Sequence, residues 1–339
     1  MAPHVSLREI IRARSVIYRY LKPTALIHYQ PLSEITGFQT YIKHENHNPT
    51  GAFKVRGGLN LLASLPQEEK ERGVITATRG NHGQSIAMAS RIFGIPCTII
   101  VPHGNNPEKN TAMRGFGAEL LEYGRDFDEA RQKAEEIREK RGLRYIHPAN
   151  EPPLINGVGT YSLEIFEELP DVDVIIVPIG GGSGACGAIT VAQALNPKVK
   201  VIGVQAEKAP AVFLSWKEGR IIETEKADTF ADGLATRVPF EMTFDIIRRR
   251  ISDIVTVSEE EIRSSIRLLL ETTHNVAEGA GATPLAAGLK IRDQLRGKKV
   301  VLILSGGNID LATLKWVLTD EGGKKTGAPA PQEPAENRR

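Results

Sequence analysis

Short apolar runs alternate with longer amphipathic stretches along most of the chain. The apolar runs predict strands at residues 74–77, 97–101, 119–123, 174–178, 199–205 and 300–304. The stretches between them predict helices at residues 82–93, 108–116, 126–141 and 185–195. Because apolar strands that alternate with helices are typical of parallel sheets covered on both faces, the pattern predicts an α/β fold.

The two ends of the chain depart from this pattern. Residues 8–22 place Arg12, Arg14 and Arg19 among apolar residues. A basic helix lying on a membrane has this pattern, but an ordinary surface helix has it too and is favoured, because basic helical faces are usually solvated. The tail, residues 321–339, is rich in glycine, proline and charge, and we expect it to be disordered.

Composition narrows the range of partners and compartments. The 339 residues include 43 Lys plus Arg and 41 Asp plus Glu, and the net charge of +2 predicts no general attraction for nucleic acid. No segment reaches the roughly 18 apolar residues of a membrane span. The two cysteines, Cys97 and Cys186, are expected to be buried free thiols in a reducing compartment. We therefore expect a cytoplasmic protein without nucleic-acid or membrane partners.

A glycine-rich loop follows the predicted strand at residues 174–178. It consists of Gly180, Gly181, Gly182, Ser183 and Gly184, and a predicted helix comes directly after it. Such a loop presents backbone N–H groups and a helix N-terminus to an anion, most often a phosphate. The pattern predicts a phosphate site, with a tight turn that binds no ligand as the alternative.

The same loop also fits a dinucleotide-binding pattern. Gly182, Gly184 and Gly187 have the spacing of the nicotinamide fingerprint, and Glu207 follows the next predicted strand. On this segment alone, an NAD-dependent oxidoreductase is a fair interpretation, so the rest of the chain has to decide.

Three further segments place reactive or polar groups at predicted helix starts or strand ends. In residues 43–58, a Pro-Thr-Gly turn and an aromatic residue precede Lys54, which is expected at a helix start. Residues 76–85 follow a strand and open a helix, so their backbone amides suit a carboxylate. Residues 302–310 form a strand that ends in small polar groups at Ser305.

Four motifs in these segments resemble one enzyme family. They are TGAFKVRGG around Lys54, TRGNHGQS around Asn81, PIGGGSG ending at Gly184, and LSGGN around Ser305. In this order and at these separations they resemble the threonine/serine dehydratases, which are pyridoxal-phosphate (PLP) enzymes with the tryptophan-synthase-β fold. Serine racemase and phenylserine dehydratase are related to them. The resemblance runs from about residue 5 to about residue 318.

The resemblance implies a more detailed architecture than the strand pattern alone. It implies two open, twisted, mostly parallel sheets flanked by helices. Residues 1–50 and 150–320 would form a large PLP-binding domain, residues 51–149 a small mobile domain, and two chains a homodimer. It also argues against the dinucleotide interpretation, which leaves Lys54 and Asn81 without a role.

The resemblance also assigns roles to individual residues. Lys54 would hold the cofactor as a Schiff base and take the α-proton of the substrate, which a desolvated neutral amine can do. The other implied cofactor-binding residues are Phe53, Asn81, Gly180, Gly181, Gly182, Ser183, Gly184 and Ser305. The implied substrate-binding residues are Thr78, Arg79, Gly80, His82 and Gly157. Thr160 and Glu278 lie in family active-site segments, with packing or helix capping as the alternative.

The implied reaction is β-elimination from a 3-hydroxy amino acid of the L-threonine/L-serine class. The products would be a 2-oxo acid and ammonia. Ser305 would face the pyridine nitrogen of PLP, and a neutral hydroxyl there favours elimination over reactions that need a long-lived carbanion. An amino-acid racemase of the same fold and a cofactor-binding protein without catalysis are the alternatives. Arg79 argues against the first and the intact Lys54 against the second.

Arg79 departs from the family pattern. The dehydratases usually carry alanine at this position, and the racemases carry a serine that donates a proton. Arginine stays charged and is a poor proton shuttle. Two interpretations stay open: Arg79 shapes specificity toward a β-aryl or β-carboxylate substrate such as L-threo-phenylserine or hydroxyaspartate, or it points outward or holds the α-carboxylate of threonine or serine.

A divalent-cation site is the remaining option within the family. Glu207 and the carbonyl of Ala211 match two positions of the racemase-type site, but Phe213 stands where that site has an aspartate. Because a hard cation needs several oxygen ligands, the loss of a carboxylate weakens binding. We expect no metal, with Glu207 as the candidate ligand if one binds.

Overall fold

The apolar segments form two sheets in the computed structural model, which describes residues 4–319. The strands are β1 (Leu26–His28), β2 (Gln39–His44), β3 (Val74–Ala77), β4 (Cys97–Val101), β5 (Glu119–Glu122), β6 (Arg144–Tyr145), β7 (Val174–Pro178), β8 (Lys200–Ala206), β9 (Asp253–Val257) and β10 (Lys299–Leu304). The helices are α1 (Leu7–Ile17), α2 (Gln30–Thr36), α3 (Lys54–Ser64), α4 (Gln67–Arg72), α5 (Asn81–Phe93), α6 (Pro107–Gly115), α7 (Phe127–Arg141), α8 (Pro152–Val158), α9 (Thr160–Glu168), α10 (Ser183–Leu195), α11 (Ala211–Glu218), α12 (Glu241–Arg250), α13 (Glu259–Thr273), α14 (Gly279–Lys290), α15 (Arg292–Leu295) and α16 (Leu311–Leu318).

The smaller sheet has the strand order β5-β4-β3-β6, and its strands are all parallel. Strands β3 and β4 are buried along their whole length, as continuous apolar runs predict. Helix α5 packs against β4, and α7 packs against both β3 and β4. The chain leaves the carboxyl end of β3 at Ala77 and enters α5 four residues later, at Asn81.

The larger sheet has the strand order β1-β2-β10-β7-β8-β9. Only the edge pair β1–β2 is antiparallel, and the other pairs are parallel. Helices α10 and α14 pack against its strands. Two helix-flanked, mostly parallel sheets confirm the predicted fold class.

Most predicted elements are confirmed, with shifts of one or two residues at their ends. The strands at 74–77, 97–101 and 174–178 match to the residue. The N-terminal helix is a correction, because α1 ends at Ile17 rather than at residue 22 and the chain turns there, ahead of Pro23. Its apolar face is buried, so it is a surface helix of the fold.

The sequence pattern misses strands β1, β2, β6 and β9. The most consequential is β2, which lies inside the larger sheet between β1 and β10. Its sequence, QTYIKH, reads as polar, yet Lys43 is fully buried. A buried charge in a strand breaks the apolar pattern on which strand prediction depends.

A buried ion-pair network explains how Lys43 is accommodated. Its ammonium lies 2.7 Å from a Glu164 carboxylate oxygen. Arg56, in the first turn of α3, contacts the same carboxylate at 2.5 Å and that of Glu45 at 2.7 Å. Burial alone would raise the pKa of Glu164, but Arg56 and Lys43 outweigh it and hold that pKa low. The network fixes the start of α3, where Lys54 lies.

The remaining whole-chain expectations can be compared with the described residues. None of the helices within residues 4–319 has the length and apolar character to cross a bilayer. Both Cys97 and Cys186 are free and buried, as expected. The predicted disordered tail, residues 321–339, lies outside the described residues.

Candidate active site

A cavity of about 850 Å³ opens where the strand ends of the two sheets approach each other. The loops that follow β3, β7 and β10 line it, together with the first residues of α3. Because parallel strands deliver their following loops to the same edge of a sheet, segments distant in sequence meet there. The cavity therefore gathers the four motif segments at one site.

Lys54 is the first residue of α3 and projects into this cavity. Its Nζ donates to the carbonyl oxygen of Pro148 at 3.0 Å and to Oγ of Ser183 at 3.1 Å. No carboxylate pairs with it among the described residues. Burial lowers the pKa of Lys54 to about 8, because desolvation disfavours the ammonium form. Lys54 is thus a fixed amine with a substantial neutral fraction near neutral pH.

The glycine loop after β7 forms a tight cradle. A Cβ on Gly180 would lie 2.0 Å from the carbonyl oxygen of Gly233. Gly182 has a φ of +91°, and a Cβ there would approach Thr243 to 2.9 Å. The loop leads into the N-terminus of α10 at Ser183, where the first amides lack helical partners. An anion such as a phosphate fits this combination of close backbone approach and free N–H groups.

The loop between β3 and α5 presents a second set of backbone donors. Thr78 Oγ1 accepts hydrogen bonds from the amides of Gly80 at 3.0 Å and Gly83 at 3.2 Å, which shapes the turn. The amides of Arg79, Asn81 and His82 have no hydrogen-bond partner among residues 4–319. This free set suits a carboxylate, as the sequence predicts.

The buried side chain of His82 supports the loop between β3 and α5. Its Nε2 lies 3.1 Å from Thr76 Oγ1, and that hydroxyl donates to the carbonyl oxygen of Ile146 at 2.8 Å. Nε2 therefore carries the hydrogen and donates to Thr76, which leaves Nδ1 unprotonated. Burial, then the positive charge of Lys54, lowers the pKa of His82 well below its ordinary value. His82 is a neutral group that holds the start of α5.

Asn81 joins two other parts of the chain at the cavity wall. Its Nδ2 donates to Glu278 Oε1 at 2.6 Å, and its Oδ1 accepts from Asn308 Nδ2 at 2.8 Å. Burial raises the pKa of the Glu278 carboxyl. The two contacts fix the orientation of the Asn81 amide at the cavity wall.

Ser305 and Phe53 lie next to each other at the end of β10. The amide of Phe53 donates to the carbonyl oxygen of Ser305 at 3.0 Å. Both side chains line the cavity, and the Phe53 ring packs edge-on against Tyr161. These two contacts fix Phe53, the residue before Lys54, against the end of β10 and against α9.

Arg79 lines the cavity, and its side chain is exposed. It forms no hydrogen bond or ion pair with any residue in the described range 4–319. Arg79 is thus a cavity-lining residue without an internal partner, and both interpretations of its role stay predictions.

Two predicted residues do not reach the cavity. A Cβ on Gly157 would lie 2.5 Å from the carbonyl oxygen of Arg56, so this glycine allows α8 to pack closely on α3. Thr160, in the same region, donates to the carbonyl oxygen of Gly157 at 2.7 Å. The structure thus gives Gly157 a packing position rather than contact with the cavity.

Glu207 also lies away from the cavity. Its carboxylate pairs with Nζ of Lys290 at 3.1 Å, and the amide of Phe213 donates to Gln205 Oε1 at 2.8 Å. Within residues 4–319, no group of three or more His, Cys, Asp or Glu side chains is placed to hold a metal ion. The dinucleotide role of Glu207 has no structural support.

Sequence reasoning misses Lys109 and Asp232. The Lys109 side chain is buried against Gly80, where a Cβ would lie 2.6 Å from Lys109 Cδ. Its Nζ has one long contact, 3.5 Å, with Asp232 of a distant loop. The signal in the sequence is weak, because Lys109 falls in a polar helix start that reads as ordinary solvated surface.

An enzyme built in this way holds a phosphate-bearing cofactor against a lysine amine, next to a site for a carboxylate. The family model described as pyridoxal-phosphate-dependent enzyme matches residues 17–306. The chain belongs to this family, and PLP is its cofactor. The glycine cradle, the desolvated Lys54 and the polar Ser305 fit that cofactor. The interpretation of Gly182, Gly184 and Gly187 as a dinucleotide fingerprint is therefore wrong.

Individual relatives agree with this assignment. The chain is 43% identical over 323 residues to the L-threonine ammonia-lyase of Thermotoga maritima, which covers 95% of this chain and 80% of the relative. The processed form of threonine deaminase isoform 2 from Solanum lycopersicum is 32% identical, with a TM-score of 0.87 and coverage of 94% and 95%. Maize serine racemase is 29% identical, with a TM-score of 0.88 and coverage of 92% and 96%.

Proposed function

We propose that this protein is a PLP-dependent ammonia-lyase. It converts a 3-hydroxy amino acid of the L-threonine/L-serine class into a 2-oxo acid and ammonia by β-elimination. The observation that carries the proposal is the position of the Lys54 amine, which contacts Ser183 of the glycine cradle and has no carboxylate partner within residues 4–319. The names of the relatives, an L-threonine ammonia-lyase and a threonine deaminase, support the same substrate class.

Different residues of the cavity perform different steps of the elimination. When bound, PLP supplies an electron sink that stabilises the charge left at Cα. The neutral Nζ of Lys54 accepts the α-proton. The free amides of Arg79, Asn81 and His82 bind the α-carboxylate and orient the α C–H bond toward that amine. The Gly180–Gly184 loop holds the phosphate, and the first turn of α10 adds a favourable helix dipole.

The experiment that tests this proposal measures product from the PLP-loaded protein. L-Threonine should give 2-oxobutanoate and ammonia in equal amounts, and L-serine should give pyruvate and ammonia. Lys54→Ala should lower kcat by at least about a thousandfold, as expected when a catalytic base and covalent anchor are lost together. Lys133→Ala, on the exposed face of α7, is the control. Release of D-amino acid without 2-oxo acid would show a racemase instead.

We propose in addition that the protein is a cytoplasmic homodimer. The free, buried state of Cys97 and Cys186 supports a reducing compartment. Light scattering after size exclusion should give a mass near twice the 37.1 kDa of the chain. A mass of one chain at micromolar concentration would contradict the dimer.

We also propose that residues 51–149 move relative to the rest of the chain when substrate binds. The support is that this segment carries the whole smaller sheet, and that two of its ion pairs across the cavity are long. Arg237 lies 3.7 Å from Asp128, and Lys109 lies 3.5 Å from Asp232. Contacts of this length form and break at little cost in free energy.

A further inference from the structure

We propose that Arg79 selects a 3-hydroxy amino acid whose β-carbon carries a carboxylate. This inference rests on the proposed function and names the substrate class of that site. The argument begins with the α-carboxylate, for which the loop after β3 already provides the free amides of Arg79, Asn81 and His82. A monocarboxylate substrate therefore does not need the Arg79 guanidinium.

The guanidinium itself is unsatisfied in the described part of the chain. Arg79 lines the cavity, its side chain is exposed, and its five N–H donors have no acceptor from residues 4–319. The carboxylates of the same wall are engaged elsewhere: Asp128 and Glu135 by Arg131, Asp232 by Lys109, and Glu278 by Asn81. The three further acidic residues at the wall, Asp126, Glu225 and Asp228, lie beyond ion-pair distance of Arg79. An arginine left in this state is suited to an anion that arrives with the ligand.

Lys109 adds a second positive charge on the other side of Gly80. Its ammonium is buried, and the only carboxylate within 4 Å among the described residues is that of Asp232, at 3.5 Å. Within 4 Å of the two cations Arg79 and Lys109, the described residues place one carboxylate, that of Asp232. Two cations and a set of amides around one loop match two carboxylates better than one.

The charge pattern favours a β-carboxylate over a β-aryl group. An arginine stacked on an aromatic ring contributes less than a charge-assisted, bidentate pair with a carboxylate. A second cation at Lys109 strengthens the binding of a nearby anion but does not affect the binding of a neutral ring. The substrate class is thus a 3-hydroxy dicarboxylic amino acid, of which 3-hydroxyaspartate is the smallest member.

The chemistry balances without any further reactant. The α C–H bond and the Cβ–O bond of 3-hydroxyaspartate break, and a Cα–Cβ double bond forms as water leaves. The enamine tautomerises to an imine, and hydrolysis of the imine consumes one water, so the products are oxaloacetate and ammonia. No oxidant or reductant enters, as in the reaction proposed for threonine.

The test compares two pairs of ligands on the PLP-loaded protein and its variants. The substrates are L-threo-3-hydroxyaspartate and L-threonine, assayed for kcat/KM. L-Aspartate and L-2-aminobutyrate are the matching analogues that lack the β-hydroxyl, and their Kd values are measured by absorbance titration. Arg79→Ala and Arg79→Lys are the variants. Lys133→Ala is the control, because this lysine is paired with Glu136 at 3.0 Å on α7 and is not among the residues that line the cavity.

The wild-type protein should prefer the dicarboxylate in both pairs. Arg79→Ala should lower the dicarboxylate-to-monocarboxylate ratio by roughly 10- to 150-fold, the range expected for a charge-assisted hydrogen-bonded pair. Arg79→Lys should retain part of the preference, and Lys133→Ala should leave the ratio unchanged.

Two results would overturn the inference. A ratio that Arg79→Ala does not move would show that the guanidinium contacts no β-substituent. A preference for L-threo-phenylserine that depends on Arg79 would assign the residue to an aryl group. If neither threonine nor 3-hydroxyaspartate yields a 2-oxo acid, the proposed function fails, and the Kd ratio of the analogues still decides the inference about Arg79.

Discussion

The environment of Lys54 shows how a buried lysine becomes reactive when no carboxylate stabilises its ammonium form. Its Nζ contacts a carbonyl and a hydroxyl, Pro148 and Ser183, but no carboxylate in the described chain. Desolvation is then unopposed, and the pKa falls to about 8. At pH 7, roughly a tenth of the amine is neutral, compared with less than about one part in a thousand for an ordinary lysine.

The first prediction concerns the pH dependence of cofactor attachment to the apoprotein. Only the neutral amine attacks the PLP aldehyde, so the attachment rate should rise with pH and level off above about 8. Stopped-flow absorbance over a pH series measures this rate, with N-acetyl-lysine as the reference amine. A rate that keeps rising past pH 10, as for the reference, would mean that burial does not lower this pKa.

At the residue scale, the motifs could be found in the sequence because their residue types reflect the local backbone geometry. Gly180 and Gly182 are recognisable because no side chain fits there, and Lys54 because it follows a turn. Lys109 and Asp232 were not predictable, since their contact joins α6 to a loop more than 120 residues away. Only the tertiary fold brings such a pair together.

At the scale of elements, the loop from β7 to α10 is the most constrained part of the site. A Cβ at position 180 would lie 2.0 Å from the Gly233 carbonyl oxygen, a distance that requires the backbone to shift. We predict that Gly180→Ala lowers PLP affinity at least about tenfold, because a shifted loop misaligns its amides.

Equilibrium dialysis with PLP measures this change, and circular dichroism checks that the variant is folded. Gly115→Ala is the control, because nothing lies within 4 Å of the added Cβ and φ there is not positive. Unchanged PLP affinity in Gly180→Ala would show that this loop does not bind the phosphate.

Helix α3 depends on charges that the hydrophobic pattern does not reveal. Arg56 pairs with Glu45 and Glu164 in the interior, and Lys43 of β2 shares the second carboxylate. Because of the charge at Lys43, the hydrophobic pattern does not predict β2. These buried charges are typical of a segment that is positioned for function rather than simply packed.

We predict that Arg56→Met destabilises the protein by about 3–5 kcal/mol, because it leaves two buried carboxylates without their main partner. Urea denaturation followed by circular dichroism gives the change in the free energy of unfolding. Arg296→Met, at an exposed ion pair with Asp293, should change it by less than about 1 kcal/mol. Equal effects of the two variants would contradict a structural role for the network.

At the scale of the whole molecule, the site exists because strand ends from two sheets meet. The alternation of strands and helices predicts both sheets, but not the way their loops close the cavity. Nor does the sequence reveal that Arg56, inside the segment proposed to move, is anchored to Glu45 and Glu164 outside it. Any motion of residues 51–149 must therefore leave the first turn of α3 in place.

This constraint yields a prediction about hydrogen exchange. Binding of L-2-aminobutyrate to the PLP-loaded protein should slow amide exchange in residues 126–131 and 225–238, which face each other across the cavity. Exchange in β8 should stay the same, because that strand is buried in the larger sheet. Mass spectrometry of peptic peptides measures both. No slowing in either cavity segment would contradict closure.

The most direct test of the central claim is to locate the cofactor on the chain. Borohydride reduction of the PLP-loaded protein, followed by peptide mass spectrometry, fixes any lysine–cofactor bond permanently. The account predicts a single pyridoxyl adduct, on Lys54, and the loss of this adduct in Lys54→Ala. An adduct on Lys109 or another lysine, or none at all in protein that turns over substrate, would contradict the assignment of Lys54.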